Sequence, residues 1–341
     1  MSVKKIIVID SGVGGLHILK ECQELMPHIN FIYVADTFNS PYGEKSKKQL
    51  KDISLNLLKN LEKTYNPIAF VIACNTLTVN CVKYLRQHIK TQIFGIEPAL
   101  KQAKINGGET ILFATKQTIK QYSKLNKKIV RQLKQEYKKQ GLIFKNYDKV
   151  YKLYIPNLPS LIDNNIENLN QVRTILEKRF AKYYFKNINN LVLGCTHFIA
   201  LKPLLKEIIG RDVEIFDGAK AVANHTYSVL ISNKDSIINQ NNKIYKEKEG
   251  QKGTTIDNET NIQINNKNCL EDNKKDIEND IDIERVCENS LSIDKVENFL
   301  TKKINKVTFI TTDANPCKKN KLKKYYLKII YNETNKITNK D

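Results

Sequence analysis

The chain has 341 residues, 41% of them hydrophobic, which is enough for two domains and a sizeable core. Its seven cysteines (Cys22, Cys74, Cys81, Cys195, Cys269, Cys287 and Cys317) are odd in number, widely spaced and without a C-x-x-C pair, which argues against a disulfide framework or a zinc cluster and fits a reducing cytosol. The formal net charge is +20, but Lys127-Lys128 with Arg131, Lys138-Lys139 and the run from Lys318 to Lys324 are separate clusters, so a dedicated nucleic-acid function is not expected. The N-terminal apolar run, Ile6 to Ile9, is too short for a signal peptide, and no stretch is long enough to span a bilayer. A soluble, cytoplasmic protein is expected.

Strand and helix patterns alternate from the start. Lys5 to Ile9 reads as a strand leading into a helix over Leu16 to Leu25. Asn30 to Val34 is a second strand, followed by a loop and a long amphipathic helix from Lys45 to Leu61. Ala69 to Ala73 precedes a helix over Leu77 to Ile89, and Gln92 to Ile96 precedes Ala99 to Ala103. A second set opens with the strand Thr110 to Ala114 and continues through helical stretches over Ile119 to Lys139 and Ile166 to Phe185. The strand Leu191 to Leu193, a helix over Leu201 to Ile209 and the strand Val213 to Phe216 complete it. Repeated β-then-α units predict two similar doubly wound α/β domains with the active site in the cleft between them.

Beyond Ile231 the composition changes. Asn, Lys, Asp and Glu dominate from Ser232 to Glu284, which predicts a disordered insertion over 233–306. A strand signal returns at Val307 to Ile310, then a helical stretch near Leu322 to Ile330 and a frayed tail over 331–341.

Two cysteines end alike strands. Phe70-Val71-Ile72-Ala73-Cys74-Asn75-Thr76 and Leu191-Val192-Leu193-Gly194-Cys195-Thr196-His197 each deliver a thiol to the C-terminal edge of a buried strand, where α/β sheets place their ligands. Such a pair suggests one site with sulfur on both sides of a substrate. Elsewhere a lone buried cysteine is usually a small hydrophobe, which is the reading for Cys22 and Cys81. A thiol near Asp10 and another near His197 would each have a proton acceptor at hand, although His197 alone reads equally well as a surface histidine. Asp10-Ser11-Gly12-Val13-Gly14-Gly15 lies between strand and helix and matches neither a dinucleotide fingerprint nor a P-loop. A small carboxylate suits it better than a nucleotide, and a plain βα turn is the alternative.

Together Asp10 to Gly15, Ala35-Asp36-Thr37, Pro41-Tyr42-Gly43, Ala73 to Thr76 and Gly194-Cys195-Thr196-His197 resemble the signature segments of glutamate racemase, over residues 1 to about 230. That family belongs to the cofactor-independent aspartate/glutamate racemase superfamily. The resemblance implies that Cys74 takes the proton from D-glutamate and Cys195 from L-glutamate, with Asp10 and His197 assisting their respective thiols. It implies that Asp10, Ser11, Tyr42, Gly43, Asn75, Thr76, Thr115, Thr118 and Thr196 hold the substrate, with neither metal nor cofactor. It further implies a homodimer supplying D-glutamate for peptidoglycan.

The implied domains are 1–98 with 210–232 and 307–330, and 99–209. Phe309, Thr311, Thr312 and Asp313 resemble the family's closing turn. The chain departs from the family pattern at Ile9, where Phe is common, at Ile199-Ala200-Leu201, and at Gly218, where Ser is usual. A racemase of the same superfamily acting on aspartate or another amino acid is the alternative enzyme. A basic regulatory protein on a racemase scaffold is the non-enzyme alternative.

Overall fold

The structure is a computed structural model that describes residues 4–145, 149–165, 168–184, 186–210, 212–232, 307–312, 319, 321–326 and 329. The expected insertion over 233–306, the tail over 331–341 and Asp313 lie outside the described residues. The described residues of 4–229 and 307–329 belong to one compact unit.

In chain order the elements begin with β1 (Lys5–Asp10), α1 (Leu16–Leu25), β2 (Asn30–Ala35), α2 (Lys47–Tyr65), β3 (Ala69–Ile72), α3 (Asn75–His88), β4 (Gln92–Gly95) and α4 (Leu100–Asn106). They continue with β5 (Glu109–Ala114), α5 (Lys116–Lys120), α6 (Tyr122–Lys139), β6 (Val150–Leu153), α7 (Leu158–Asn164), α8 (Asn170–Phe180), β7 (Ile188–Gly194) and α9 (Lys202–Ile209). The last are β8 (Glu214–Phe216), α10 (Ala219–Ser232) and β9 (Val307–Thr311). Residues 321–326 are helical, within the stretch expected near Leu322.

Two all-parallel sheets result, with strand orders β4-β3-β1-β2-β9 and β6-β5-β7-β8. In each, the first strand of the set has the second on one side and the third on the other, so the strand order reverses between β1 and β3 and between β5 and β7. Those two crevices are where a doubly wound sheet accepts a ligand.

Continuous apolar runs explain the strands. Ile6 to Ile9, Phe70 to Ile72 and Leu191 to Leu193 are buried on both faces, as a sheet covered by helices on each side requires. Each fully buried Ile, Leu or Phe contributes about 1.5–3 kcal/mol relative to exposure. The helices bury one stripe. In α6 this is Leu125, Ile129 and Leu133, four residues apart, with lysines on the outer face. Helix α2 starts with a capping box between Ser46 and Gln49 and ends at Asn66, which takes the left-handed conformation that asparagine tolerates.

Three features differ from the sequence expectation. The stretch from Ile119 to Lys139 is two helices, because the Gln121 N–H turns back to the Thr118 carbonyl at 3.0 Å and closes α5 with a tighter turn. Strand β6 and helix α7 had not been anticipated. Strand β8 pairs with β7 and so completes the second sheet, in keeping with the alternating pattern, whereas the family resemblance implied 210–232 as part of the first domain. The return begins after it: Gly218 packs on Ile96 and the Glu97 carbonyl, and His225 of α10 meets Phe94 of β4 edge-on. A Cβ at Gly218 would lie 2.6 Å from that carbonyl oxygen, so the glycine fits this backbone where serine would force it apart.

Candidate active site

Register places the two thiols equivalently. Ile9 of β1 pairs with Ile72 of β3, and the Ala73 N–H donates to the Ile9 carbonyl at 2.8 Å, so the chain leaves the sheet at Cys74 just past the level of Asp10. In the second sheet Ala114 of β5 pairs with Gly194 of β7, and the chain leaves at Cys195. Cys74 is then the N-cap of α3, and Cys195 the N-cap of a 3-10 turn over Thr196–Leu201. Each thiol therefore follows the third strand of its set and stands at a helical N-terminus.

All of the side chains expected at the site are buried: Asp10, Ser11, Tyr42, Cys74, Asn75, Thr76, Thr115, Thr118, Cys195, Thr196 and His197. Gly43, also buried, lies against Thr115, whose Cβ would be 3.0 Å from a Cβ at that position. The hydroxyls of Thr76 and Thr115 are 2.8 Å apart, and Thr115 Oγ1 is 3.0 Å from Thr118 Oγ1, so one hydroxyl cluster joins the first set to the second. Asn75 Nδ2 is buried at the start of α3 with no hydrogen-bond partner. A buried donor at a helix N-terminus suits an anion.

Asp10 is fully buried. Its Oδ2 accepts from the Gly15 N–H at 2.6 Å and from Thr196 Oγ1 at 3.1 Å, while Oδ1 has no partner. Burial pushes the carboxyl up to about 6, against the opposing pull of His197 and of the Ser11 and Gly15 N–H groups. Burial also raises the Cys74 thiol well above its ordinary value, and the Asp10 charge adds to this. The Leu77 and Thr76 N–H groups work the other way, and a charge on Cys195 raises Cys74 further, so the two sulfurs lie within each other's field.

The second thiol has a different partner. Cys195 Sγ lies 3.8 Å from His197 Nδ1, and His197 Nε2 lies 3.2 Å from both oxygens of Asp163. Burial alone would lower the His197 imidazole. The charge and hydrogen bond of Asp163, with Cys195, outweigh it and raise the group well above its ordinary value. Asp163 had not been anticipated as a site residue. It is carried by α7, whose entry at Asn157 is left-handed. The sequence cue was a lone carboxylate ending the apolar Leu158-Pro159-Ser160-Leu161-Ile162 run.

The glycines of the β1–α1 turn make room for this arrangement. A Cβ at Gly12 would sit 2.5 Å from Asp163 Oδ2 and 2.7 Å from His197 Nε2, and one at Gly14 would sit 2.5 Å from the His197 backbone nitrogen. Among the described residues, no three His, Cys, Asp or Glu side chains gather as metal ligands do. No described helix is long and apolar enough to cross a membrane.

Two parallel α/β sheets, each delivering a buried thiol to the start of the helical turn that follows it, define an α/β protein with paired cysteines, one beside His197 and the other under the charge of Asp10. The chain is 38% identical over 227 residues to the glutamate racemase of Clostridium acetobutylicum, covering 64% of this chain and 82% of that protein. Its fold is similar to Escherichia coli glutamate racemase solved with L-glutamate and the activator UDP-MurNAc-Ala (TM-score 0.59, 25% identity, 68% of this chain and 84% of that one). It is also similar to the Francisella tularensis glutamate racemase solved with D-glutamate (TM-score 0.54, 26% identity, 68% and 82%). No protein-family model matches. The chain belongs to the glutamate racemase family.

Proposed function

We propose that this protein interconverts L- and D-glutamate by proton transfer between Cys74 and Cys195, and so supplies D-glutamate for peptidoglycan. The observation that carries the reading is the equivalent placement of the two thiols after β3 and β7, each within the other's field. Removing a Cα proton and returning one to the opposite face requires a base and an acid on opposite sides of the carbon.

In the D-to-L direction the Cys74 thiol passes its proton to Asp10, and the thiolate takes the Cα proton. The Cα–H electron pair stays on the substrate as a carbanion. The Cys195 thiol then protonates the other face, and the resulting thiolate stands beside the charged His197 held by Asp163. The reverse direction exchanges these roles. Asn75, with the N–H groups at the start of α3, and the hydroxyls of Thr76, Thr115 and Thr118 receive the carboxylates, and fixed donors offset the developing negative charge. Ser11, Tyr42, Gly43 and Thr196 complete the surround.

The test follows the Cα proton of glutamate by NMR in deuterated buffer with no added cofactor, with aspartate as the competing substrate. Wild-type protein exchanges and racemises glutamate faster than aspartate, and Cys74→Ala and Cys195→Ala each abolish racemisation. Racemisation by either variant at the wild-type rate rejects the two-thiol mechanism, and a preference for aspartate rejects the substrate.

A further inference from the structure

Asp36, at the end of β2, is fully buried and is not one of the expected proton-transfer or substrate-binding residues. Its carboxylate nevertheless accepts hydrogen bonds from three side chains. Oδ2 accepts from Tyr42 OH at 2.5 Å, Oδ1 accepts from Thr312 Oγ1 at 2.6 Å, and Asn39 Nδ2 reaches both oxygens at 3.0 and 3.1 Å. Its backbone N–H donates to the Asp10 carbonyl at 2.8 Å, fixing the ends of β1 and β2 together.

The donors come from two places. Asn39 and Tyr42 belong to the loop after β2. Thr312 directly follows β9, which lies beside β2 with Thr311 level with Ala35. Thr312 ties that loop twice, because its Oγ1 also accepts from the Phe38 N–H at 3.2 Å. Beyond the loop, Gly43 packs on Thr115, a member of the hydroxyl cluster, and the Tyr42 side chain packs in the same core as Cys74. A continuous series of bonds and contacts therefore runs from the closing strand through Asp36 to the site.

We propose that Asp36 is a positioning residue, which uses Thr312, just past the closing strand, to hold the Tyr42-Gly43 loop against Thr115 and so sets substrate binding. The inference rests on the racemase reading only for the choice of substrate. A buried carboxylate with three donors makes charge-assisted bonds, which are stronger than neutral ones. Losing one of them loosens the loop without removing a group that touches the transferred proton.

Thr312→Val tests this, because the hydroxyl goes while shape is kept at an exposed position, and Thr312→Ser restores the hydroxyl. Thr312→Val is expected to raise KM for both enantiomers about ten-fold with kcat changed less than about two-fold, and Thr312→Ser to return KM towards wild type. Amide hydrogen exchange over residues 37–45 is expected to quicken in Thr312→Val, a readout that needs no turnover. Unchanged exchange in that segment overturns the proposal, as does a fall in kcat at constant KM. If the wild-type protein does not racemise glutamate, the function fails, while the exchange measurement still decides the role of Asp36.

Discussion

Thr196 Oγ1 donates a 3.1 Å hydrogen bond to Asp10 Oδ2, so the residue next to one thiol in sequence holds the carboxylate that assists the other. A donor to a carboxylate favours its charged form. In Thr196→Val that support is gone, and the Asp10 carboxyl moves above its present value of about 6. The acid limb of the pH–rate profile is expected to shift upward by roughly one pH unit, and Thr196→Ser to leave it in place. An unmoved acid limb in the valine variant would show that the bond does not tune Asp10.

Asp10 itself opposes folding at neutral pH. The folded carboxyl keeps its proton up to about 6, while the unfolded one releases it near 3.8, so folded protein binds more protons between these values. The contribution to stability is complete below the lower value and is lost as pH rises through the upper one. Asp10→Asn is expected to abolish racemisation yet raise stability at pH 7.5, on the order of 1–3 kcal/mol in urea unfolding. The amide can keep its oxygen at the Oδ2 position and place nitrogen at Oδ1, which has no partner. A variant less stable than wild type at that pH would contradict the argument.

Asp163 outweighs the effect of burial on His197. In Asp163→Asn burial prevails, and the imidazole becomes neutral at pH 7.5. Racemisation is expected to fall roughly 100-fold, the low end of what a positioned acid–base group contributes. NMR titration of the imidazole gives the independent check, and a His197 that stays charged in the variant would refute the pairing.

Gly12→Ala should separate the Asp163–His197 pair, since its Cβ would lie within 2.7 Å of both side chains. Racemisation is expected to drop at least about ten-fold, and the His197 titration to move towards its ordinary value as in Asp163→Asn. An alanine variant with wild-type rate and titration would mean the carboxylate swings aside freely.

Much of the first sheet and both thiol-bearing strands were legible, because fully buried parallel strands read as short apolar runs ending in small or polar residues. The edge strand β6 was not, because Val150-Tyr151-Lys152-Leu153 is short, only partly buried and carries an exposed lysine in mid-strand. Asp163 escaped for a different reason. It lies 34 residues from His197, in a short helix whose local sequence says nothing about its partner. The bond from Thr312 to Asp36 crosses 276 residues and has no local signature at all. What periodicity conveys is which segments are buried; which polar side chains meet is a property of the closed topology.

That long crossing also orders events in time. The chain emerges from the ribosome with β1 to β8 available to pair among themselves, but β9, the outer neighbour of β2, is made only after all eight of them. Until residues 307–312 have been synthesised and have found their place beside β2, the carboxylate of Asp36 lacks its Thr312 donor. Pairings so distant in sequence form slowly. Both thiols can thus be in place on a nascent chain before the loop beside them is secured.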